Sequence, residues 1–188
     1  MSSSSNDTAL ILVDVINSFY VEGMPNHYPE VFSTLEPLRR LLARARERGR
    51  IVVHAAERHY PGFDDFEWKK LPKHHFMNEP DGEFFEGFSP QGPREILTAK
   101  RRYSAFFATD LALFLNEQRV RRVVVAGVKT NVCIRATIQD AFANGFEALL
   151  PREATNSNRP HLAAAALEDI DRYLGKVVSL DEGLAALA

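Results

Sequence analysis

The chain has a single cysteine, Cys133, in 188 residues. A lone thiol closes no internal disulfide, which excludes a disulfide-stapled secreted scaffold. No stretch approaches the roughly 20 consecutive apolar residues that a membrane-spanning helix needs. Charge of one sign is also lacking, since 23 Lys+Arg stand against 25 Asp+Glu for a formal net charge of −2. That balance excludes a strongly basic nucleic-acid binder and gives an anionic membrane no electrostatic hold. No Gly-x-Gly-x-x-Gly follows the first apolar run, so the dinucleotide-binding turn is missing. No Gly-x-Ser-x-Gly offers a serine nucleophile. Residues 1–7 are Ser-rich, lack the basic and apolar regions of a secretory signal, and read as a disordered tail. What remains is a soluble, cytoplasmic protein with one domain over residues 8–188, of ordinary hydrophobic (45%) and charged (26%) content.

What is present alternates strand and helix. Ala9-Leu-Ile-Leu-Val-Asp14 is a nearly continuous apolar run ending in a carboxylate, the pattern of a strand buried on both faces. Leu35, Leu38, Leu41, Leu42 and Ala45 recur at helical spacing, with Ser33 or Thr34 as the cap and Gly49 as the stop. Ile51–Ala55 is a second buried strand, so the crossover is right-handed and parallel. Residues 57 to 95 break the rhythm with five prolines and four glycines, which marks a functional loop or a mobile one. Regularity returns with a strand near Ile96–Ala99, a helix from about Thr109, a strand at Val123–Gly127, and a helix from Val132 to Ala143 that ends at Asn144-Gly145. Ala148–Leu150, the Ala-rich His161–Tyr173, Lys176–Ser179 and a helix from Asp181 complete the count. The fold class is α/β: a three-layer Rossmann-like domain with a mainly parallel six-stranded sheet.

In such sheets ligands bind beyond the carboxyl ends of the strands. Asp14, Glu57 to His59, Lys100, and Lys129 to Cys133 occupy those ends. Cys133 lies in the first turn of a helix, where unpaired N–H groups favour a thiolate and an oxyanion. A buried cysteine that is only a small hydrophobe is the competing reading. A carboxylate ending an apolar strand is costly unless it is paired or reactive, or it caps the segment that follows. Lys100 begins Lys-Arg-Arg-Tyr-Ser, which otherwise reads as a solvated basic run. If the three side chains converge, Asp14 takes and returns the thiol proton and Lys100 holds both by charge.

Val13-Asp14-Val15-Ile16-Asn17-Ser18-Phe19, Lys100-Arg-Arg-Tyr-Ser104-Ala-Phe and Gly127-Val-Lys-Thr-Asn-Val-Cys133 resemble, in order, the three signature segments of the isochorismatase-like cysteine hydrolases. That family includes nicotinamidases, carbamoylsarcosine amidases and ureide amidohydrolases. The resemblance extends from Thr8 to Leu187 and takes in Thr137-x-x-Asp140-Ala141. It implies an Asp14–Lys100–Cys133 triad, a cis peptide at Val128–Lys129, and an oxyanion hole from the backbone N–H groups of Lys129 and Cys133. It also implies a homodimer or homotetramer.

The chain departs from the family in two places. Ile16 stands where a Gln is frequent, which removes a polar contact beside Asp14. Nicotinamidases bind a metal through Asp-x-His and a later His, whereas this chain has Glu57-Arg58-His59 and then His74-His75. No metal or other cofactor is expected; Glu57, His59 and His74 are the set that would hold zinc if one were present. Phe19, Arg58, His59, Tyr103 and Arg135 are expected to meet the substrate. The resulting expectation is an amidohydrolase that cleaves the C–N bond of a small linear carboxamide or ureide through a thioester. The alternatives are vinyl-ether hydrolysis of isochorismate, which does not use the thiol, and a non-catalytic binding protein of the same fold.

Overall fold

Each strand returns to the same end of the sheet through a helix or long loop, so every strand pairing among the described residues is parallel. The computed structural model describes residues 7–188. Of the expected tail, residues 1–6 lie outside the described residues. The Asp7 carbonyl accepts the N–H groups of Arg121 and Arg122 at 2.8 and 3.1 Å.

The strands are β1 (Thr8–Val13), β2 (Ile51–Glu57), β3 (Glu95–Lys100), β4 (Arg122–Val128), β5 (Glu147–Pro151), β6 (Thr155–Asn156) and β7 (Lys176–Val178). Their order is β3-β2-β1-β4-β5-β7, with β6 set against the end of β4. β6 is the strand the sequence did not announce, because two residues are too few to carry a pattern. The helices are α1 (Asn17–Tyr20), α2 (Leu35–Glu47), α3 (Leu111–Glu117), α4 (Arg135–Ala143), α5 (Pro160–Asp169) and α6 (Leu180–Ala186). None is long and apolar enough to cross a membrane among the described residues.

The unbroken apolar character of β1 follows from burial on both faces. Leu10 and Leu12 pack with Leu38, Leu41 and Ala45 of α2 and with Leu180 and Leu184 of α6. Ala9, Ile11 and Val13 pack on the other face with Leu111 and Leu115 of α3 and with Ile138 and Ala141 of α4. Period-two alternation therefore separates two cores instead of a core and a solvent face. Each fully buried Leu contributes about 1.5–3 kcal/mol, and three of them fix α2 to the sheet.

The expected cap of α2 is corrected. Ser33 Oγ donates to the Glu30 carbonyl at 2.9 Å and Thr34 Oγ1 to the Val31 carbonyl at 2.7 Å, so neither caps the helix. A 3-10 turn, Pro29–Thr34, runs straight into α2 and supplies the preceding carbonyls instead. Gly49 ends the helix as expected, with φ of +60° and the Arg50 N–H returning to Ala45 O at 2.8 Å.

The chain lays β2 and β3 on one side of β1, then crosses to start β4 on the other. The order reverses between β1 and β4, and the ends of these strands form the crevice that such a reversal creates. The irregular segment 58–94 folds over this end, holding only two 3-10 turns, Phe66–Lys69 and Pro80–Gly82.

Candidate active site

Asp14 leaves β1 with φ of +54°, a left-handed conformation open to Asp at modest cost. Its N–H donates to Ala55 O at 2.8 Å, and its Oδ1 accepts the Glu57 N–H at 2.8 Å. The carboxylate is thereby aimed across the end of β2. On the other flank Gly127 pairs with Val13, and a Cβ there would lie 2.0 Å from the Val13 carbonyl oxygen. Only glycine lets β4 come this close to the residue before Asp14.

Lys100 ends β3 in register with Glu57 of β2. Its side chain is fully buried and reaches Asp14 Oδ2 at 2.8 Å, Cys133 Sγ at 3.6 Å and Glu57 Oε1 at 4.0 Å. Burial works to discharge the ammonium, but Asp14, Cys133 and Glu57 outweigh it and raise its pKa. Cys133 lies in a π-helical turn, Thr130–Ile134, that runs into α4. The Lys129 carbonyl accepts the N–H groups of both Val132 and Ile134 at 3.0 and 3.3 Å, and the Val128–Lys129 peptide is cis.

Burial pushes the Cys133 thiol well above its ordinary pKa, Lys100 pulls it down, and the carboxylates of Asp14 and Glu57 push it up again.

A second cluster adjoins the first. Glu57, His59 and His74 are buried, and one ligand atom from each lies within 4.8 Å of the others. His59 Nδ1 donates to Asp65 Oδ2 at 3.0 Å, which leaves its buried Nε2 without a partner. His74 Nδ1 donates to the Pro72 carbonyl and turns its Nε2 to Glu57 Oε2 at 3.5 Å. His75 is spent otherwise: its Nδ1 donates to Glu57 Oε2 at 3.0 Å, and its Nε2 accepts from Asn26 at 3.1 Å. An oxygen and two imidazole nitrogens, one of them buried, without a partner and oriented by a carboxylate behind it, fit a divalent cation such as zinc.

The isochorismatase domain family matches residues 8–182, nearly the whole chain. The chain belongs to this family. It is 36% identical over 184 residues to a maleamate amidohydrolase of Pseudomonas putida, covering 95% of this chain and 86% of the relative. An isochorismatase-like hydrolase from Alkaliphilus metalliredigens superposes with a TM-score of 0.89 at 29% identity, over 97% of this chain and 100% of that one. A pyrazinamidase of Pyrococcus horikoshii in complex with zinc gives 0.82 at 29% identity, over 92% and 99%.

In this isochorismatase-family chain the Asp–Lys–Cys arrangement typical of the hydrolases is complete. The residues expected to face substrate divide. Phe19 is buried with its ring 5.4 Å from that of His75. Tyr103, over a third exposed, lies against Glu67, and burial with that carboxylate pushes its hydroxyl up to about 12. His59 belongs to the cation cluster. Arg58 is turned to Glu83 at 3.3 Å and to the face of Phe84. Arg135 is held by Asp169 and Gln139.

Two acids in the loop went unnoticed in the sequence. Asp65 is buried and gathers His59, Arg101 and Arg102. Glu67 is buried beside Tyr103, and burial, then Glu57, pushes its pKa up. A lone acid in a Pro/Gly-rich loop carries no signal of burial.

Proposed function

We propose that the protein is a cysteine amidohydrolase that cleaves the C–N bond of a small linear carboxamide or ureide. The observation that carries this reading is the Lys100 ammonium set between Asp14 Oδ2 at 2.8 Å and Cys133 Sγ at 3.6 Å, all three buried. The Asp14 carboxylate takes the thiol proton as Sγ attacks the substrate carbonyl carbon. Lys100 offsets the charge on both, which offsets what burial costs them. The tetrahedral oxyanion is received by the backbone N–H groups of Lys129 and Cys133. Its collapse breaks the C–N bond, and Asp14 returns the proton to the leaving nitrogen, so ammonia or an amine departs and a thioester remains. Water then attacks the thioester and gives a proton to Asp14. Collapse frees the carboxylic acid, and the proton returns to the thiolate.

Glu57, His59 and His74 are the residues that would hold a divalent cation beside this centre. Bound there, it would supply a Lewis acid for a heteroatom of the substrate. Isochorismate hydrolysis and a purely binding role both leave the Lys100–Cys133 contact without a use.

The test is ammonia or amine release from a panel of small amides and ureides that includes maleamate, run beside isochorismate. A thioester on Cys133 trapped by acid quench and mass spectrometry supports the reading. Turnover of an amide by Cys133→Ala at the native rate rejects it.

A further inference from the structure

Most cations around the site are matched by a carboxylate, but among the described residues Lys129 and the nearby Arg159 are not. Lys100 has Asp14 and Glu57, Arg101 and Arg102 share Asp65, Arg58 meets Glu83, and Arg135 meets Asp169. No ion pair or side-chain hydrogen bond among the described residues engages Lys129. Its ammonium faces two buried rings instead, 5.7 Å from the centroid of Phe19 and 5.3 Å from that of Tyr28. Aromatic faces attract a cation without neutralising it. Tyr28 is itself pinned, its hydroxyl donating to Asn156 Oδ1 at 2.7 Å, so the cradle is built and not incidental.

The cradle adjoins the reaction centre. Lys129 directly follows β4 and is four residues before Cys133, whose sulfur acts on the Lys129 charge. Phe19 continues the wall to His75 and, through it, to Glu57. Burial lowers the Lys129 pKa, the Cys133 sulfur raises it and the nearby Arg159 lowers it, and no carboxylate is ion-paired with either cation among the described residues.

We infer that the amide cleaved here carries a carboxylate at the end remote from the scissile bond, and that the Lys129 side chain receives it. This rests on the amidohydrolase reading and adds to it the charge of the substrate and the residue that selects it. Asp14 and Glu57 at the reaction centre repel an anion, so the two ends of such a substrate are told apart: the carboxylate goes to Lys129 and the neutral amide to Cys133.

Two assays test the inference. In the first, the monoamide of a four-carbon dicarboxylic acid is compared with its methyl ester, which has the same amide and no charge. A charge-assisted hydrogen bond predicts that native kcat/KM favours the acid by roughly 10- to 100-fold. Lys129→Met is expected to remove most of that preference through KM for the acid, and Lys129→Arg to restore most of it. Equal native values, or a preference that Lys129→Met leaves unchanged, overturn the inference.

The second assay needs no turnover. Succinate is expected to protect Cys133 from iodoacetamide in the native protein, its diamide not to, and Lys129→Met to lose the protection. No protection of the native protein, or equal protection of both, overturns the role of Lys129 while leaving amide hydrolysis standing. If neither amide is hydrolysed, the amidohydrolase reading fails on its own and protection alone decides for or against Lys129.

Discussion

Glu57 and Lys100 close the ends of β2 and β3 in register, yet Lys100 passes Glu57 at 4.0 Å to reach Asp14 at 2.8 Å. The ammonium crosses a whole strand to sit between a base and a nucleophile. Its charge and that of Asp14 act on the thiol in opposite senses, which gives the two residues separable signatures.

Asp14→Asn removes a carboxylate that pushes the Cys133 pKa up. Alkylation of the thiol by iodoacetamide at neutral pH is expected to quicken, while turnover falls by about 10²–10⁴-fold with the loss of the base. Lys100→Met removes the charge that pulls the thiol down, so alkylation slows and turnover falls as well. Rates of alkylation that move the same way in both variants contradict the arrangement, and so does unimpaired turnover in either. Melting curves on the same two proteins separate these effects from loss of fold.

Zinc in slight excess is expected to remain bound at one equivalent after gel filtration and to raise the melting temperature, as a ligand of the folded state does. His59→Ala should lose both effects, because its buried Nε2 is an imidazole donor with no hydrogen-bond partner. His75→Ala should keep the zinc, since both its nitrogens are already engaged. Metal analysis of the native protein with no retained zinc rejects the cluster as a cation site.

Gly127→Ala places a methyl group 2.0 Å from the Val13 carbonyl oxygen at a φ of +121°. Overpacking costs about 1–3 kcal/mol, and the backbone strain adds to it. The melting temperature should drop, and the activity of the remaining folded protein should drop too, because Val13 leads directly into Asp14. A variant as stable and active as the native chain would show that β4 has room the structure does not display.

Glu95 illustrates a pH effect away from the site. Burial raises its pKa, but Arg46 at 2.8 Å and His54 at 2.9 Å outweigh it and hold the carboxyl down at about 2. A folded-state value below the unfolded value of about 4.3 stabilises fully above about pH 5, and that contribution is lost as pH falls toward 2. Glu95→Gln should therefore melt below the native chain at pH 7, with the gap narrowing from about pH 5 to pH 3. A constant gap across that window refutes the pairing as its source.

The sheet was legible because β1, β2 and β4 are buried on both faces and cannot hide their apolar runs. Asp14, Lys100 and Cys133 were legible because each is a reactive group at or just beyond the carboxyl end of a strand. The two-residue β6, the π-helical turn at Cys133 and the 3-10 turn feeding α2 left no trace. They arise from hydrogen bonds such as Val132 and Ile134 to Lys129 O, or Thr34 to Val31 O, that no periodicity encodes. Asp65, Glu67 and the Lys129 side chain gain meaning only from neighbours brought in by the long loop or by distant strands. The raised thiol pKa escaped for the same reason, since the two carboxylates that cause it come from β1 and β2.

The crossing of Lys100 over β2 has a kinetic corollary. The three reactive groups come from the central strand β1, the edge strand β3 and the turn after β4, contributed from both sides of the order reversal. A parallel sheet of this kind closes its most distant pairings only after long loops have been brought together, so its late steps are slow. No half of the sheet carries a competent set of groups. Turnover regained after dilution from denaturant thus marks the docking of β3 and β4 about β1, a later event than the recovery of helical signal.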